Sequence, residues 1–130
     1  MTRQFSPPSH DASIMPAMLI EAARCWRDAR DNRKPVQPSL FAMLSRYGHG
    51  MLAPVFDSIM TLAEDVSGRR ITTGNGPTLS EDEHRLIDLF DGTGLPSGGS
   101  GLTVSLRCAV KSLRILLTRP LGITTARLAA

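Results

Sequence analysis

Three groups of residues have the types that chemistry needs. Glu81, His84, Asp88 and Asp91 recur at steps of three and four, a spacing that puts them on one side of a helix where they could face a divalent cation. That side is opposite Leu86 and Leu89, and the acids already suit the start of a helix. No HExxH and no paired ExxH accompanies them. A metal is therefore not expected. Arg46-Tyr47-Gly48-His49-Gly50 places a histidine between glycines, with an arginine and a phenol beside it. Such a histidine could act as a general base. No nucleophile stands in an identifiable relation to it, so the segment reads first as a turn. Arg46, Tyr47 and His49 remain the residues to watch for a small enzyme or a ligand-binding protein. Arg107, Lys111 and Arg114 stand four and three residues apart, with Arg119 and Arg127 following. They form a basic stripe able to contact phosphates. The simpler reading is the solvated flank of an amphipathic helix, set against the acidic helix at 81–91.

Other signatures of chemistry are missing. The glycines near Asn75-Gly76 match neither GxxxxGK[ST] nor GxGxxG, and no strand precedes them. Cys25 and Cys108 are the two cysteines, far apart and without a CxxC pair. They read as reduced, half-buried residues of a cytosolic protein. No cofactor is implied. Trp26, the single tryptophan, sits on an apolar helical stripe and reads as core rather than as a stacking platform for a base.

The elements that must position these residues are helical. The centre is Ser39 to Asp65, the densest mixture of large apolar residues, read as a short helix, a glycine turn and a longer helix folded back as a hairpin. Val55, Ile59, Leu62 and Val66 fall on one face of a 3.6-residue period, and Asp57, Thr61 and Glu64 on the other. A helix-turn-helix over 40–65 would present Asp57, Glu64 and Asp65 to DNA and repel it. Before the hairpin, Ser13 is a fair N-cap for a helix reaching Asp31, with Pro16 in its first turn. Two prolines make 32–38 a linker, and Ser39 is read as the next cap. After the hairpin, Ser80 and Glu83 form a capping box, and Gly92 ends that helix. A glycine-rich connector at 94–101 leads to the last helix, near 102–118, stopped by Pro120.

The sequence thus predicts an all-α bundle of four or five helices, near 13–31, 39–47, 51–66, 80–91 and 102–118. It predicts one domain over 13–120 between a flexible N-terminal tail (1–12) and a C-terminal tail (121–130). Of the 130 residues, 42% are hydrophobic, 21% charged and 5% aromatic, a globular composition whose core must be aliphatic. No run of about 18 apolar residues exists, so no membrane span is expected. Residues 57–100 carry eight acids and three bases, and 101–130 five bases and no acid; the two regions are expected to be neighbours in one fold. Arginine outnumbers lysine thirteen to two, which suggests a bacterial origin.

With no catalytic constellation in view, the expected function is a cytoplasmic, non-enzymatic protein-interaction or regulatory module. Nucleic-acid binding through Arg107, Lys111 and Arg114 is the alternative. The last helix adds one expectation. Its main apolar face centres on Leu106, Val110, Leu113 and Leu117, with Leu102 at its start. Val104, Cys108 and Ile115 fall nearly opposite. A helix with one core face needs no second stripe. Either the helix is central in the chain or the stripe meets a partner, most simply a second copy in a two-fold homodimer, and the dimer is the expectation.

Overall fold

The computed structural model describes residues 7–118, with side chains from Met15 onward. Five helices follow one another: α1 (Pro7–Asp31), α2 (Val36–Ser45), α3 (Ala53–Ser67), α4 (Glu81–Asp91) and α5 (Gly101–Thr118), with a 3-10 turn at Gly50–Leu52 leading into α3. The described residues contain no strand. The protein is an all-α bundle, as the periodicity predicts. The expected tail at 121–130 and the first six residues of the expected N-terminal tail lie outside the described residues.

Helix ends account for most differences from the sequence reading. α1 begins at Pro7, ahead of the expected cap at Ser13, so Pro16 lies inside the helix rather than in its first turn. α2 begins at Val36 because Pro35, at φ −62° and ψ 122°, occupies the N-cap position. The extended conformation favoured by a proline thus delivers the chain into the helix, and Pro38 falls in the first turn, where a missing N–H leaves no bond unmade. Ser39 is consequently not a cap. It sits within α2 and its hydroxyl donates to the Pro35 carbonyl at 2.7 Å. α2 closes at Arg46, and the His49 N–H reaches back to the Leu44 carbonyl at 2.9 Å. Gly48 makes that wrap possible at φ 79°, in the left-handed region that glycine enters without strain. At α4 the expected capping box is present: the Glu83 N–H donates to Ser80 Oγ at 3.0 Å and the Ser80 N–H to Glu83 Oε1 at 2.9 Å.

α3 is the axis of the core. Phe56, Ile59 and Met60 are buried along it, so the buried line runs beside the expected Val55–Ile59–Leu62–Val66 stripe, of which Val55, Leu62 and Val66 form the half-buried margin. α5 packs on α3, α2 on α1, and α4 bridges α1 and α5. Phe56 of α3 stacks on Phe90 of α4, ring centroids 5.4 Å apart. Trp26 of α1 is fully buried and its indole N–H donates to Asp57 Oδ1 at 2.9 Å. The guanidiniums of Arg27 and Arg30 lie 5.1 and 4.7 Å from the ring centroid. Its faces are thus occupied within the chain, as a core tryptophan requires, and no base could stack there.

Candidate functional site

The most connected polar feature is the segment between α3 and α4, residues 68–80, laid across α1. Arg24 of α1 donates from Nε to Glu83 Oε2 at 2.7 Å and from Nη2 to Glu83 Oε1 at 3.0 Å. The same guanidinium donates to the carbonyls of Gly76 at 2.6 Å and Thr78 at 3.1 Å. Glu83 is fully buried. Burial pushes its carboxyl up, but the Arg24 guanidinium and the N–H groups of Ser80 and Gly74 together outweigh burial and leave it below the ordinary value. Asp82 takes both Nη atoms of Arg69 and the Thr72 N–H at 2.7 Å. The Arg69 hydrogen bonds hold it below its ordinary value. Glu64 of α3 accepts from Arg27 at 2.7 Å and from the Ile71 N–H at 2.9 Å. Three carboxylates therefore each join arginine to the backbone of a segment with no regular structure, Asp82 taking Arg85 Nη1 at 3.3 Å as well as Arg69. Every strong donor there is matched by an acceptor of the same chain, which describes a latch rather than a binding site.

The candidates from the sequence are placed as follows. Arg46 and Tyr47 come together, but on Glu21 rather than on His49: the Tyr47 hydroxyl donates to Glu21 Oε1 at 2.6 Å and Arg46 pairs with Oε2. The hydrogen bond to Glu21 raises the Tyr47 pKa. The Arg46–Tyr47 pair therefore ties the end of α2 to α1, and His49 serves the turn through its backbone. Glu81, His84, Asp88 and Asp91 do not converge. Glu81 reaches Arg85 at 3.6 Å, and Asp91 accepts from Thr93 Oγ1 at 2.7 Å. Among the described residues no three His, Cys, Asp or Glu side chains gather as a metal site requires. Two apolar clefts flank α1, one against Pro77 and Leu79 and one against Phe90 and Leu117. The charged groups on their walls, Glu21, Arg24, Asp91 and Arg114, are all engaged within the chain.

On α5 the basic stripe divides. Arg107 donates to the carbonyls of Pro96 at 3.1 Å and Gly98 at 2.9 Å, and Arg114 to the carbonyl of Asp91. These two guanidiniums fasten the α4–α5 connection. Lys111 differs from the expected flank position. It follows Val104 by two helical turns and so stands about 20° from it around the helix axis, on the outer face itself. Thr103, Leu106, Val110 and Leu113 are the buried residues of the inner face; Leu102, expected there, is 47% exposed. Opposite, Val104 is 40% and Ile115 56% exposed, and Cys108 is exposed between them. The second stripe is therefore not internal. It faces outward, and among the described residues no element covers it, so α5 is not flanked on both sides by the described helices. Cys25, by contrast, is half-buried, and burial pushes its thiol pKa up, with Asp28 and Glu21 adding to the shift. No helix among the described residues is long and apolar enough to cross a membrane. No protein-family model, curated protein or solved structure matches the chain.

Proposed function

We propose that this chain is a cytoplasmic, non-enzymatic interaction or regulatory module whose contact surface is the outer face of α5. The observation that supports it is the line of Val104, Cys108 and Ile115, exposed on a helix whose opposite face already fills the core. A helix that only closes a bundle carries polar residues on its outer face. Exposed apolar residues grouped on one helix face are what a contact with another protein would use. The polar clusters give no competing site, because their charges close on one another within the chain.

A photo-crosslinking residue placed at Val104 of the full chain, in the cells that make it, tests the reading. Thr61, exposed on α3, is the control position. Adducts from position 104 and none from position 61 are expected. Equal labelling from both positions, or none from 104, overturns the proposal.

A further inference from the structure

We draw no further inference here: the strongest candidate, the apolar cleft between α1, α4 and α5 lined by Met15, Leu19, Phe90 and Leu117, carries none, because the charged groups on its rim are engaged within the chain and nothing in the structure shows what covers it.

Discussion

Arg24 and Glu83 are 59 positions apart in the chain and meet through two hydrogen bonds of 2.7 and 3.0 Å, the guanidinium presenting Nε and Nη2 to the two carboxylate oxygens. The pair joins α1 to the first turn of α4 and, through the carbonyls of Gly76 and Thr78, holds the segment between them. Replacing Arg24 by Met keeps the stem and leaves Glu83 buried without its cation. Removing one partner of a buried pair costs several kcal/mol. Arg24 is 25% exposed in its side chain, which places the loss near the low end, about 3 kcal/mol. Urea unfolding measures it. A loss below about 1 kcal/mol, the scale of a surface pair, would show that water replaces the guanidinium.

The same latch fixes an acid limb. Asp82 and Glu83 both lie below their ordinary values of 3.8 and 4.5. A carboxyl whose folded pKa is depressed adds stability that is present above its unfolded pKa and is lost as pH falls through the folded one. Their contribution is therefore complete near neutrality, begins to fall below pH 4.5 for Glu83 and 3.8 for Asp82, and is gone once both are protonated. Amide exchange follows it locally. After correction for intrinsic rates, protection of the Thr72 and Ser80 N–H groups, which donate to these carboxylates, should decrease with acid before that of Ile59 in α3. Simultaneous loss at all three would mean that the segment opens only with the whole bundle.

How far the sequence reaches is visible in these residues. The capping box was legible because Ser80 and Glu83 are three residues apart and their bonds are local. The partner Arg24 was not, because no periodicity links a position on α1 to one 59 residues later. Asp57 and Glu64, correctly assigned to the polar face of α3, turn that face toward α1, where they accept from Trp26 and Arg27. Helical periodicity separates polar from apolar and does not say which polar face meets a neighbour. The start of α2 at Val36 departs from the sequence expectation for a related reason. Pro35 and Pro38 read as breakers, yet prolines at a helix entrance are compatible with the fold. The second stripe of α5 was legible as a pattern, and only the packing of α5 on α3 puts it outside.

Gly92→Ala should destabilise the protein by about 1–2 kcal/mol. Gly92 closes α4 at φ 90°, where an L side chain is strained, and an added Cβ would run into the Arg114 guanidinium. The two causes separate in a double variant. Arg114→Ala removes the collision and leaves the backbone strain, so Gly92→Ala/Arg114→Ala should recover only part of the loss. Full recovery would assign the whole effect to the guanidinium.

Within α5, Leu113 and Ile115 are two residues apart and face opposite ways, the first fully buried and the second 56% exposed. Leu113→Asp puts a carboxylate among apolar side chains with no partner. The penalty of several kcal/mol exceeds much of a small domain's stability, so the variant should not fold. Ile115→Asp leaves the core untouched. It adds a negative charge near the C-terminal end of α5, where the helix dipole disfavours one, so a loss of about 0.5 kcal/mol is expected. Circular dichroism of Ile115→Asp should therefore remain helical and its melting temperature should fall by only a few degrees. Photo-adducts from position 104 of this variant should meanwhile be lost, because the carboxylate stands on the outer line that the proposed contact uses. The contrast is what carries weight: a folded Ile115→Asp that cannot associate assigns the outer line of α5 to contact between molecules. An Ile115→Asp that unfolds like Leu113→Asp would return that line to the core, against the outward placement of Val104, Cys108 and Ile115.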